Sequence, residues 1–385
     1  MLSLHEAADG LLARVRVPGG RLSANALLAL AEELGNGLVD LTSRANLQLR
    51  GLAAGAGPLL APRLQNVGLL PSAQHDRVRN VLASPLAGRG PGALDDVDDV
   101  VAVLDAQLMA SHRARDLPGR FCFLVDDGSG TGRDAGPDVT IVARGEGRFG
   151  LALDGRPVQF EADGETAAVA AVAAAEAFVA LRGDAWRLSE TPGGPAAVAA
   201  TIGLTLAPVT RAARTRGFGP GAIEQRDGRI ALTALAPLGQ LWPSLLRALA
   251  AAGDDVRLST RRTVTLVDLD PGTLDATRAM LAAADLVLDA DSGWVGLTAC
   301  AGTAGCPRAL ADVRAAATLR AAVRAATDPD EHWAACERRC GEVPGTPVSV
   351  AVRAGGDVEL RADARAVLVP SLQGAAEHLL AEAAR

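Results

Sequence analysis

The 385-residue chain has no lysine and no tyrosine, and its aromatic residues are limited to six phenylalanines and four tryptophans. All 38 of its basic residues are therefore arginines. Codon usage rich in G and C accounts for this composition and for the abundance of Ala, Gly and Asp, but a chemical consequence remains. Any site that holds carboxylates must do so with guanidinium groups, which bind them bidentately and do not deprotonate. The N-terminus lacks the basic segment and continuous apolar stretch of a secretory signal. The longest apolar run, Ala167 to Leu181, is too short to cross a bilayer and is interrupted by Glu176. A cytoplasmic protein is expected, with thiols kept reduced and no membrane partner. A net charge of −7 offers no basic field to nucleic acid. The histidines, His5, His75, His112, His332 and His378, are scattered, with no pattern of two His and one carboxylate for a non-haem iron.

What is present is a hydrophobic content of 49%, enough for a large core and more than one domain. Four of the five cysteines form two close pairs, Cys300-Ala-Gly-Thr-Ala-Gly-Cys306 and Cys336-Glu-Arg-Arg-Cys340. The first pair lies in a Gly/Ala turn whose backbone can wrap closely. The second is spaced i, i+4, which on a helical turn sets both thiolates on one face. Three readings compete. Structural zinc knuckles usually place two to four residues between paired cysteines, free thiols are common core residues, and a [4Fe–4S] cluster takes four thiolates. Cys122, in the apolar run Phe121 to Val125, reads as a packed core residue.

The chain also repeats itself. Val39 to Leu52 aligns without gaps on Val256 to Leu269, matching apolar positions and the triplets Thr42-Ser43-Arg44 and Ser259-Thr260-Arg261. Each copy is preceded by a strand (Leu12 to Val17; Ile230 to Leu235), a Pro/Gly turn and an amphipathic helix (Ala24 to Leu34; Pro243 to Ala252). The period-two patterns Leu41, Leu47, Leu49 and Leu258, Val264, Leu266 predict strands with one buried face. Arg44 and Arg261 then sit at matched bends and are expected to converge on a shared cleft. Between the copies lie an acidic helix (Asp95 to Ser111), a β-rich stretch (Leu117 to Val158), the Ala-rich run, a linker (Thr191 to Pro195) and a basic connector (Val209 to Gly217). A strand at Val348 to Val352 and a final helix from Ser371 follow the cysteines.

Leu41 to Gly51 resembles the first-repeat signature of the sirohaem-type nitrite/sulfite reductase superfamily, Leu117-Pro118-Gly119-Arg120-Phe121 its second stretch, and the two cysteine pairs its cluster ligands. The resemblance implies an α+β fold of duplicated ferredoxin-like half-domains with pseudo-two-fold symmetry, joined to α/β domains of the reductase type. The expected divisions are 1–60 and 206–270 for the half-domains, 61–205 for the first α/β domain and 271–385 for the cluster domain. It also implies that Cys300, Cys306, Cys336 and Cys340 hold a [4Fe–4S] cluster. Within the superfamily, Arg44 to Gly51 and Phe121 to Gly128 are most similar to the precorrin-3B synthase family. That likeness implies O2-dependent hydroxylation of precorrin-3A at C20 with γ-lactone formation, a further non-haem iron of unknown ligands, NADH as reductant and an electron-donor protein as a partner. The substrate, a tetrapyrrole fringed with carboxylates, is expected against Arg44, Asn46, Arg50, Arg120 and Arg261. The alternative is a small sirohaem-dependent sulfite or nitrite reductase. Those reductases use a Lys-rich patch where this chain has Gly119, Arg120 and Cys122. The superfamily usually has glycines around its last cysteine pair, where this chain has Ala335, Arg338 and Arg339.

Overall fold

The computed structural model describes residues 4–32, 35–208, 218–362 and 365–383, so the expected basic connector lies outside the described residues. Among the described residues the fold contains four five-stranded sheets. Two of them form the duplicated unit. In the first, Leu4–Ala7, Gly10–Val15, Leu47–Leu52 and Val39–Leu41 pair antiparallel in that order, and in the second Gly221–Glu224, Ile230–Leu235, Thr263–Leu269 and Val256–Leu258 do the same. Each sheet is completed by a short strand from the other copy: Gln240–Leu241 pairs with Val39–Leu41, and Arg21–Leu22 pairs with Val256–Leu258. The alternating leucines and valines meet in one shared core, on which the helices Ala24–Ala31 and Pro243–Ala252 pack against each other.

The copies match in backbone detail. The strand pair bulges between Leu11 and Ala13 in one and between Ile230 and Leu232 in the other, opposite Gly51 and Asp268, whose φ angles are 63° and 59°. Where the exchanged strands cross, a side chain on Gly20 would meet the carbonyl oxygen of Leu258 at 2.4 Å, and one on Gly239 that of Leu41 at 2.5 Å. Positions 41 and 258 are partners in the repeat. Only glycine lets the two backbones approach this closely.

Beyond the half-domains the duplication continues. Val81–Ala83, Phe123–Asp126 and Val139–Gly145 run parallel, with Arg148–Leu153 and Arg156–Ala162 added antiparallel. Leu297–Ala299, Glu331–Ala334, Val348–Val352, Val358–Ala362 and Arg365–Val369 have the same order and directions. Helix Gly164–Leu181, started by Asp163 accepting the Thr166 N–H at 2.8 Å, is longer than the apolar run suggests. By length and composition it is capable of crossing a membrane. In the fold it packs on the strands Val139–Gly145 and Arg148–Leu153 and buries Ala168, Ala171, Val172, Ala175 and Phe178. The stretch read as a linker, Thr191 to Pro195, instead turns at Gly193 into a short helix, Gly194–Thr201, that packs on the long one.

Ion pairs tie each half-domain to the α/β sheet of the other half. Asp40 accepts from Arg314 on helix Val313–Ala321 at 3.0 Å, and Arg257 forks onto Asp98 of helix Asp98–Ala110 with two bonds of 2.7 Å. Positions 40 and 257 are equivalent, and each helix follows the first parallel strand of its sheet. The same contact is thus made twice, with the charges exchanged.

Candidate cluster and anion site

The bend after Val39–Leu41 is built by its hydroxyl. Thr42 Oγ1 accepts the N–H groups of Arg44 (3.3 Å) and Asn46 (3.2 Å), as Ser259 Oγ accepts those of Arg261 (3.1 Å) and Thr263 (3.4 Å) in the second copy. Asn46 is buried and locks the first bend: its Oδ1 accepts from Val17 N–H at 3.0 Å, and its Nδ2 donates to the Arg44 carbonyl at 2.9 Å and to Asn80 Oδ1 at 2.7 Å. Arg44 is thereby fixed at the wall of a cleft of about 750 Å³.

Among the described residues nine arginines line that cleft (Arg14, Arg16, Arg44, Arg120, Arg187, Arg262, Arg314, Arg338 and Arg339) against two carboxylates, Asp40 and Glu342. Some are engaged with the protein. Arg16 donates to the carbonyls of Arg77 and Gly119 at 3.0 and 2.9 Å, Arg187 to Asp138 at 3.0 Å, Arg314 to Asp40, and Arg339 to Glu359 at 3.2 Å. Among the described residues the guanidiniums of Arg14, Arg44 and Arg338 have no hydrogen-bond or ion-pair partner, and Arg120 has only the ring of Trp186, 5.7 Å away. Burial holds the Arg44 pKa below its ordinary value; the Cys122 thiol opposes this, while the charge of Arg187 adds to it. Cys122 itself is buried, and burial pushes its thiol up to about 11, so it stays neutral.

Cys300 and Cys340 also line the cleft. Cys300 ends the strand Leu297–Ala299, and Cys306 closes a four-residue helical turn, Gly302–Gly305. The second pair is not on a helix as its spacing suggested. Cys336 to Cys340 form a turn in which the Arg339 N–H bonds the Cys336 carbonyl at 3.2 Å and Arg339 adopts a φ of 48°, so the thiols are brought round by a bend. The four thiols are neighbours: the Cys340 pKa is raised by burial and then by Cys336, Cys300 and Cys306. A backbone N–H, that of Ala335, points at Cys300 Sγ from 3.2 Å. Among the described residues no three His, Cys, Asp or Glu groups converge on a point where one metal ion would sit. Four grouped thiols are the donor set that a [4Fe–4S] cluster takes.

The structure brings Arg44, Asn46 and Arg120 together and sets Arg50 and Arg261 apart from the lining. Arg50 is buried, bonded to Asp9 (2.9 and 3.0 Å), Asp40 (3.3 Å) and the Gly305 carbonyl (2.5 Å). It braces the cysteine loop. Arg261 pairs with Asp330 at 3.1 Å and Asp134 at 3.6 Å. Its neighbour Arg262 lines the cleft in its stead. Arg262 and Trp186 also line the cleft without a sequence pattern to mark them; a tryptophan beside arginines in a chain with four tryptophans is the one available signal.

Residues 5–67 match the family model of the nitrite/sulfite reductase ferredoxin-like half domain. A ferredoxin–nitrite reductase of Synechococcus elongatus is 36% identical over 127 residues, 30% of this chain and 25% of that protein. A precorrin-3B synthase of Sinorhizobium sp is 30% identical over 168 residues, 43% of this chain and 32% of that protein. The matched stretches thus span between a quarter and a third of these curated relatives. The solved structure of the Mycobacterium tuberculosis NirA protein superposes with a TM-score of 0.78 at 20% identity, covering 93% of this chain and 77% of that one, a likeness of fold.

Proposed function

We propose that this chain, whose residues 5–67 are a nitrite/sulfite reductase ferredoxin-like half domain, is an oxidoreductase of the precorrin-3B synthase type. It would hydroxylate precorrin-3A at C20 with O2 and close the γ-lactone, in the cytoplasm. The observation that carries the reading is a cleft rich in arginines without carboxylate partners, bordered by two of four neighbouring cysteines. A substrate fringed with acetates and propionates supplies the missing carboxylates. Arg44, Arg120, Arg14 and Arg338, all lining the cleft, grip them by charge-assisted bonds. Asn46 keeps the Arg44 bend rigid, and Arg50 holds the Gly305 carbonyl so that the cysteine loop faces the same space. Cys300, Cys306, Cys336 and Cys340 would hold a [4Fe–4S] cluster, which supplies electrons one at a time when bound. NADH, through an electron-donor protein, is the proposed source of those electrons, and a further iron belongs to the same reading.

A second reading, a small sirohaem-dependent nitrite or sulfite reductase, is favoured by Cys340 standing exposed in the cleft, where its thiolate would face a haem iron. Against it, Cys122 is buried and neutral, which leaves Arg120 as the one cation of the Gly119 to Cys122 segment. The deciding experiment is the absorption spectrum of anaerobically purified protein together with turnover of precorrin-3A. A broad cluster shoulder and a C20-hydroxylated lactone are expected. A sirohaem Soret band with sulfite or nitrite reduction would replace this reading by the second.

A further inference from the structure

Arg262 occupies a position that disfavours it twice. Its φ is 59°, in the left-handed region where bulky side chains are uncommon, and its repeat counterpart with a φ of 51° is only Ala45. Its side chain is carried into the interior, 6% exposed, with Nη1 lacking any partner among the described residues. A buried cation left without a counter-charge is strongly unfavourable unless something outside the chain completes it.

The surroundings indicate what that is. Cys300 lies close enough to act on the Arg262 charge, and Arg262 Nη2 would be 3.3 Å from a side chain on Gly341, the residue after Cys340. The carboxylate nearest in effect, Asp40, is already shared by Arg50 and Arg314. Burial pushes the Arg262 pKa down to about 10, with Arg314 adding to the shift and Asp40 opposing it. The group therefore remains charged at neutral pH.

We propose that Arg262 is the fixed counter-charge of the iron–sulfur cluster, held beside Cys300 and the Gly341 backbone so that the cluster accepts an electron more readily. This rests on the reading of the four cysteines as cluster ligands. A cluster held by four thiolates is anionic and becomes more so on reduction, and a cation in a poorly solvated setting favours the reduced form. The effect is one of charge and distance, so its sign is fixed.

The test is a dithionite titration of anaerobically prepared holoprotein, with the reduced cluster followed by electron paramagnetic resonance. Arg262→Gln is expected to lower the reduction equilibrium constant at least tenfold, a potential about 59 mV more negative for a one-electron couple. Asp40→Asn, which removes the opposing charge, is expected to move it the other way, and Arg262→Lys to stay within threefold of wild type. A full cluster in Arg262→Gln at an unchanged potential overturns the proposal, all the more if precorrin affinity falls instead, because Arg262 is then a substrate ligand. If Arg262→Gln assembles no cluster, Asp40→Asn decides: a potential that does not rise is equally fatal. Wild-type protein with no cluster signal at all refutes the cluster reading itself, a result distinct from a cluster indifferent to residue 262.

Discussion

Arg44 and Arg50 are six residues apart on the same repeated segment, yet one faces an open cleft and the other is enclosed by Asp9, Asp40 and Gly305. Their substitution should therefore fail in different ways. Loss of a charge-assisted bond to a ligand carboxylate costs roughly 1.5–3 kcal/mol, or about 10- to 150-fold in affinity. Arg44→Ala is expected to weaken precorrin binding by that factor with melting temperature and iron content unchanged, and binding within twofold of wild type would remove Arg44 from the site. Breaking a buried ion pair costs about 3–5 kcal/mol. Arg50→Ala should thus lower denaturant stability by that order and impair iron retention, and a variant as stable as wild type would contradict the bracing role. The buried roles of Arg50 and Arg261 were hidden in sequence because most of the groups that claim them are distant in the chain: Asp9 and Gly305 lie 41 and 255 residues from Arg50, and Asp330 lies 69 from Arg261. That Arg44 and Arg120 line the cleft could be foreseen because the triplet and the Leu-Pro stretch are local patterns, with Asn46 two residues beyond the triplet.

At the scale of elements, the cysteine loops and the interface helices carry the next expectations. Acid-labile sulfide should be present at about four per chain and iron at no fewer than about four, the content of one [4Fe–4S] cluster, with any excess iron belonging to the further iron. Stoichiometric zinc without sulfide would exclude the cluster. Cys122→Ala, altering a buried thiol outside the four-thiol group, should leave that content intact. The turn at Cys336 to Cys340 was misread as helical because spacing alone does not reveal that Arg339 takes a left-handed φ. Helix Asp98–Ala110 supplies a pH dependence. Burial alone would raise the Asp98 pKa, but the bonds from Arg257, its charge, and those of Arg21 and Arg89 outweigh it, so the pKa lies below that of an ordinary aspartate. A carboxyl with a lowered folded pKa contributes stability that is complete above the unfolded value and is lost as pH falls through the folded one. Acid unfolding of wild type should accordingly include a component below about pH 4, and Asp98→Asn, less stable at neutral pH, should lack it. Parallel wild-type and variant acid curves would show that the pair contributes nothing.

For the whole molecule, each half-domain sheet is completed by a strand of the other, and the leucine core is continuous across both. Fragments 1–208 and 218–385 expressed separately should be insoluble or lack a cooperative melt, whereas co-expressed they should copurify through a tag on one. Cooperative melting of either fragment as an isolated monomer would refute this dependence. The sequence disclosed the strand–helix–strand repeat but not the repeat of the α/β sheets, because strand order and direction are preserved there while side chains have diverged, as where Cys300 follows its strand and Ser84 follows the equivalent one. The exchanged charges at the interface bear on which halves pair. Were two copies of the first half to pair as the two halves now do, Asp40 would face Asp98; two copies of the second half would set Arg314 against Arg257. At these two contacts each half is thus complementary to the other and not to itself, so the charge pattern directs the halves to pair with each other rather than each with its own kind, and reversing that preference takes a change on both sides of each pair.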